Sequence, residues 1–202
     1  MKTRLYITLL GLFVLSQGCG SRPQIARLSA SSVVIAFGDS LTAGTGATGS
    51  ECYPTVLADL IGCRVINAGV PGEDSVAGRR RLLSLLQRER ADLVVLCEGG
   101  NDMLLEQRDE IIRENLDAMV AAARRAGADV ILVGVPRPRL WMKAPPFYQQ
   151  IADKYDVPCD TQTIGMILST PALKSDYVHP NASGYRRLAE SIASLIREAQ
   201  RK

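Results

Sequence analysis

Five short apolar runs punctuate the chain: Val33 to Phe37, Arg64 to Asn67, Leu93 to Cys97, Val130 to Val133, and a weaker one around Val157 to Cys159. Runs of this length, with little polar alternation, predict strands buried on both faces. Between them the period changes. Ile112, Leu116, Met119, Val120 and Ala123 recur at the three- and four-residue spacing of one helix face, Leu82, Leu83, Leu85 and Leu86 sit in a second amphipathic stretch, and Tyr185, Leu188, Ala189, Ile192 and Ile196 mark a terminal helix with Asn181 placed to cap it. Strands alternating with helices of this length predict an α/β fold with three layers, α/β/α, around a parallel five-stranded sheet.

Ahead of these elements the chain has a different character. Lys2 and Arg4 precede an apolar stretch from Leu5 to Leu15 that ends in small residues around Gly18 and Cys19. A basic start and an apolar run too short to span a bilayer read as a secretory signal over residues 1–18. Leu15 to Cys19 also resembles a bacterial lipobox, although Ser16 stands where that pattern has an aliphatic residue; the resemblance implies cleavage before Cys19 and a lipid anchor on its thiol. Residues 19–32, rich in Ser, Arg, Pro and Gln, read as a tether, and 33–202 as one folded domain. The expected location is the bacterial cell envelope, on the periplasmic side.

Composition narrows the classes further. The chain of 202 residues is 47% hydrophobic and 22% charged, which fits a globular domain with a core. Its formal charge of +3 falls to +1 without Lys2 and Arg4, so there is no basic footprint for nucleic acid. Cys52, Cys63, Cys97 and Cys159 have no metal-site spacing, and no metal or cofactor is expected. An oxidising compartment permits disulfides, a Cys52–Cys63 bridge among them, while Cys97 reads as a small buried hydrophobe.

Ligands of open α/β sheets bind beyond the carboxyl ends of the strands, so the residues following each run carry the chemistry. These are Gly38, Asp39 and Ser40 after the first, Ala68 to Gly72 after the second, and Glu98 to Asp102 after the third. Ser40 is the candidate nucleophile. A serine needs a base, and His179 is the only histidine. Asp176, three residues earlier, is placed to accept the imidazole Nδ1 hydrogen and fix its tautomer. Each of these segments taken alone is an ordinary turn; together they supply nucleophile, base and orienting acid. The Ser40 and Gly69 backbone N–H groups and the Asn101 side-chain amide are the candidate oxyanion donors. Glu98 and Asp102 read as structural, and Arg79, Arg80 and Arg81 as a solvated basic run opening a helix.

The four segments Gly38–Gly44, Asn67–Gly69, Gly99–Asp102 and Asp176–Asn181 resemble, in order and position, sequence blocks of the SGNH or GDSL hydrolases. The resemblance runs from about Val33 to the end of the chain. It implies a flavodoxin-like sheet, a Ser40–Asp176–His179 triad and an oxyanion hole of Ser40, Gly69 and Asn101. The likeness is greatest to the bacterial periplasmic type called acyl-CoA thioesterase I, lysophospholipase L1 or arylesterase, in which an aromatic residue and a proline, here Tyr53 and Pro54, precede the first helix. Residues 135–147 depart from that type, so acyl-chain preference does not carry over. Trp141 and Phe147 there are expected either to wall an acyl site or to pack the loop down. The expected activity is hydrolysis of carboxylic esters or thioesters on a small-molecule substrate. Deacetylation of carbohydrate or peptidoglycan would use the same residues, and a non-catalytic binding lipoprotein would have no need to keep them.

Overall fold

The computed structural model describes residues 23–138 and 142–200. Five parallel strands, β1 (Val33–Gly38), β2 (Arg64–Gly69), β3 (Leu93–Cys97), β4 (Asp129–Val133) and β5 (Cys159–Asp160), form one sheet in the order β2-β1-β3-β4-β5. Among the described residues the α-helices α1 (Ser40–Ala43), α2 (Tyr53–Ile61), α3 (Ser75–Arg88), α4 (Gly100–Leu104), α5 (Asp109–Arg125) and α6 (Phe147–Tyr155) connect them, and α7 (Thr163–Ser169) and α8 (Ala182–Ala199) follow β5. Helices cover both sheet faces: α2 packs on α8, which also meets α7, and α3 packs on α5, which also meets α6. The apolar runs behave as expected for the inner strands, since every residue of β3 is buried. Removing such strands from water is the main favourable contribution to folding of a sheet of this kind.

Several expectations need correction. β2 is an edge strand with a partner on one side only, so its residues are exposed or half-buried and not covered on both faces. The last strand is shifted and shortened to Cys159–Asp160, because Pro158 has no N–H for the ladder and contributes only its carbonyl, to Leu132 N at 2.9 Å. The segment read as a tether is anchored before Val33. Ile25 is 1% exposed, its N–H donates to Ala199 O at 2.9 Å, and Ala26 N–H donates to Asp129 Oδ2 at 2.6 Å. The signal segment and Cys19 lie outside the described residues.

Cys52 directly precedes the nine residues of α2 and Cys63 lies two residues after their end. At about 1.5 Å of rise per residue their Cα atoms are well beyond the roughly 7 Å that a disulfide tolerates. All four cysteines of the folded part are free thiols. Helix α2 starts at Tyr53 itself, with Pro54 in its first turn where a missing N–H costs nothing.

Candidate active site

The sheet's carboxyl edge gathers the loops singled out by sequence. Leaving β1, Gly38 lies so close to β3 that a Cβ would sit 1.8 Å from Cys97 O, so only glycine lets the chain pass. Asp39 then caps α1, its Oδ1 accepting Leu41 N–H at 2.9 Å, and Ser40 occupies the first position of that helix. Thr42 hydrogen-bonds buried Tyr53 OH at 3.1 Å, and Tyr185 OH donates to Thr45 O at 2.8 Å, fixing the short helix to α2 and α8.

On the far side, residues 174–181 form a tight turn entering α8. Ser175 N–H donates to His179 O at 2.9 Å, and Asn181 caps α8 by accepting Gly184 N–H at 3.1 Å while its amide donates to Ala172 O and Lys174 O. This turn aims His179 at Ser40. The Nε2···Oγ distance is 3.0 Å, and Nδ1 lies 2.8 Å from Asp176 Oδ2. The other carboxylate oxygen, Asp176 Oδ1, accepts the Val178 and His179 N–H groups, each at 2.8 Å. Partial burial alone would raise the Asp176 pKa. The His179 imidazole and those two N–H donors outweigh it and hold the carboxyl below its ordinary range. Asp176 is thus ionised where the imidazole needs a charged partner.

Ser40 and His179 open on a cavity of about 240 Å³. Its remaining walls are mainly apolar, with Leu41, Leu104, Val135, Pro138, Met142 and Leu168 among them, and Asn101 also faces it. Asn101 Nδ2 donates to Glu73 O at 2.9 Å and lies 3.5 Å from Asp39 Oδ2.

Gly69 is not where the resemblance implied. Its N–H donates to Asn67 Oδ1 at 3.0 Å, and it is absent from the cavity walls. Its lack of a side chain serves packing instead, since a Cβ would lie 2.1 Å from Ala43 N. After β2 the glycine that lines the cavity is Gly72, three residues on in the loop that follows. Among the described residues, neither Gly72 N–H nor Ser40 N–H donates to a protein acceptor. The available signal was its place after Pro71, farther beyond the end of β2.

Phe147 also needs correction. It is 5% exposed, its ring centroid 4.7 Å from that of Tyr148, on the face of α6 that also buries Ile151. It packs the loop into the core and does not wall the cavity. Trp141 lies outside the described residues.

Beneath the site lie two carboxyls that the mechanism does not display to solvent. Burial pushes Asp39 up to about 6, against the pull of Leu41 N–H and nearby His179. Glu98 is fully buried; burial first, and the Asp39 carboxyl next, push it well above its ordinary value. Its Oε1 accepts Gly99 N–H at 3.1 Å and its Oε2 has no partner among the described residues. Asp102 has the structural role expected, accepting Ser75 N–H at 2.7 Å and Ser75 Oγ at 2.6 Å and so tying α4 to the start of α3.

Both raised carboxyls bind a proton more tightly folded than unfolded. Their contribution to stability is complete below about pH 4 and falls as pH rises, ending for Asp39 near about 6 and continuing higher for Glu98. Glu98→Gln has no proton to lose. Its melting temperature relative to the parent should therefore climb between about pH 4 and 8, at roughly 2–4 °C per kcal/mol for a domain of this size. A difference independent of pH contradicts a raised Glu98 pKa.

Comparisons with known proteins show the family and the fold. Residues 36–187 match the model of the GDSL-like Lipase/Acylhydrolase family. Esterase TesA of Pseudomonas aeruginosa is 27% identical over 194 residues, covering 89% of this chain and 94% of that protein. Thioesterase 1/protease 1/lysophospholipase L1 of Escherichia coli K12 is 26% identical over 178 residues, covering 84% and 86%. A crystal structure of TesA superposes with a TM-score of 0.74 at 26% identity, covering 83% of this chain and 99% of that one. The chain belongs to the GDSL-like Lipase/Acylhydrolase family and is an ester hydrolase of that family.

Proposed function

We propose that the chain hydrolyses carboxylic esters or thioesters through a covalent acyl-Ser40 intermediate. The observation that carries this reading is the line of contacts from Ser40 Oγ to His179 Nε2, at 3.0 Å, and from Nδ1 to Asp176, at 2.8 Å, at the mouth of an apolar cavity. His179 takes the serine proton as Oγ adds to the substrate carbonyl carbon. The resulting oxyanion accepts hydrogen bonds from the N–H groups of Ser40 and Gly72 and from the Asn101 amide. Collapse breaks the bond to the alcohol or thiol, which leaves with the proton from His179. Water then adds to the acyl-enzyme, with His179 again as base, and the acid departs. Asp176 holds the imidazole tautomer and stabilises the imidazolium.

The cavity sets the scale of the acyl group. Its volume of about 240 Å³, below the roughly 300–1,000 Å³ of sites for drug-sized ligands, leaves room for an acyl chain of modest length. Rates with p-nitrophenyl acetate, butyrate, octanoate and palmitate test this. The expected order has kcat/KM highest for butyrate or octanoate and at least about tenfold lower for palmitate, the excess methylenes finding no apolar contact. Activity confined to acetate identifies a deacetylase, and a rate still rising at palmitate places the chain outside the cavity.

We also propose that the protein is secreted and lipid-anchored through Cys19. Lys2, Arg4 and the apolar stretch from Leu5 to Leu15 support this reading.

A further inference from the structure

The run Arg79, Arg80 and Arg81 is not uniformly solvated, nor does it open α3; it falls in that helix's second turn. Arg79 and Arg80 are exposed, but the Arg81 side chain is only 24% exposed and reaches under the catalytic edge. Its Nη1 donates to Ala68 O at 2.8 Å and its Nη2 to Gly38 O at 3.2 Å, at the ends of β2 and β1. Its Nε lies 2.9 Å from both Glu73 carboxylate oxygens, Nη2 donates to one of them, and the guanidinium stands 4.0 Å above the Phe37 ring. The Glu73 side chain is 7% exposed, so this pair is largely shut off from water.

These partners belong to the segments that carry the oxyanion donors. Gly38 leads through Asp39 to Ser40, Glu73 follows Gly72 directly, and Glu73 O holds the Asn101 amide at 2.9 Å. A pair serving stability alone would need only its own two charges. Here a planar fork uses four of its five N–H donors to fix two strand ends and one loop in mutual register.

We propose that Arg81 is a positioning residue for the oxyanion site, acting through Glu73 on Gly72 and Asn101. The inference rests on the acyl-serine reading above. Misplacing a donor by about 1 Å is enough to cost on the order of 100-fold in rate. Lysine, with a single point charge in place of the fork, cannot make the same set of bonds.

The test is a double-mutant cycle of Arg81→Met with Asn101→Ala, with Arg81→Lys as a milder variant that keeps the charge should Arg81→Met fail to fold. Rates with p-nitrophenyl butyrate are expressed per active site, titrated to completion with an alkyl fluorophosphonate, so that unfolded protein does not count. Arg81→Met should lower kcat about 10- to 100-fold with KM within about twofold, Arg81→Lys less so. On the Asn101→Ala background the same substitution should cost several-fold less, because one donor it positions is gone. A kcat per site unchanged by either Arg81 variant overturns the proposal, as does full additivity in the cycle; both leave the acyl-serine reading standing if Asn101→Ala alone is slow. If Asn101→Ala has the parent kcat, the oxyanion reading fails and the role of Arg81 falls with it.

Discussion

Ser40→Ala should lower kcat for p-nitrophenyl butyrate by about 10⁶-fold, the scale on which Ser–His–Asp hydrolases lose activity when the nucleophile goes. The change removes one oxygen from a half-buried position and, apart from its contact with His179, leaves the surrounding bonds in place, because Asp39 caps α1 through the Leu41 N–H and not through the serine. The variant should melt within a few degrees of the parent, so lost activity can be assigned to chemistry. The loss should be equal for every acyl chain, since Ser40 forms the bond that all substrates share. A variant keeping more than about one hundredth of the parent rate points to another nucleophile or to direct water attack.

Asp176→Asn should be damaging on a smaller scale, at about 10⁴-fold in kcat. The reason lies in how both carboxylate oxygens are used. Oδ2 accepts from the imidazole Nδ1, while Oδ1 accepts from Val178 and His179 N–H. Asparagine has one accepting oxygen. If that oxygen faces the imidazole, the amide NH₂ confronts two backbone donors and the turn opens. If it faces the turn, the NH₂ points at Nδ1 and selects the tautomer whose Nε2 carries the hydrogen, which cannot take the serine proton. Either arrangement leaves KM nearly unchanged and kcat low. Asp176→Asn should therefore resemble Asp176→Ala in rate. A loss of less than about tenfold would mean that His179 is held without Asp176.

The strands β1, β3 and β4 were legible because each is a dense apolar run, and β3 was readable to the residue, whereas the edge strands β2 and β5 lack that density. The long helices α5 and α8 were legible from their periodic apolar faces. The short helices α6 and α7 were not, because nine and seven residues carry too few repeats of an apolar face for the period to stand out. Ser40, Asp176, His179 and Asn101 could be named because each is a reactive side chain at a strand or helix end. Backbone donors leave no such mark, and Gly69 and Gly72 are chemically identical; only the path of the loop beyond β2 separates the one that packs against α1 from the one that faces the cavity. Arg81 illustrates the same limit. Three consecutive arginines look alike in sequence, and the turn of α3 decides which of them points inward.

Reaction with an alkyl fluorophosphonate, read by intact mass and peptide mapping, tests the central claim most directly. The expected result is one adduct per chain, located on Ser40, formed in step with loss of esterase activity, and absent from Ser40→Ala. Full ester hydrolysis retained by protein modified at Ser40, or an adduct of equal yield on Ser40→Ala, would contradict the account.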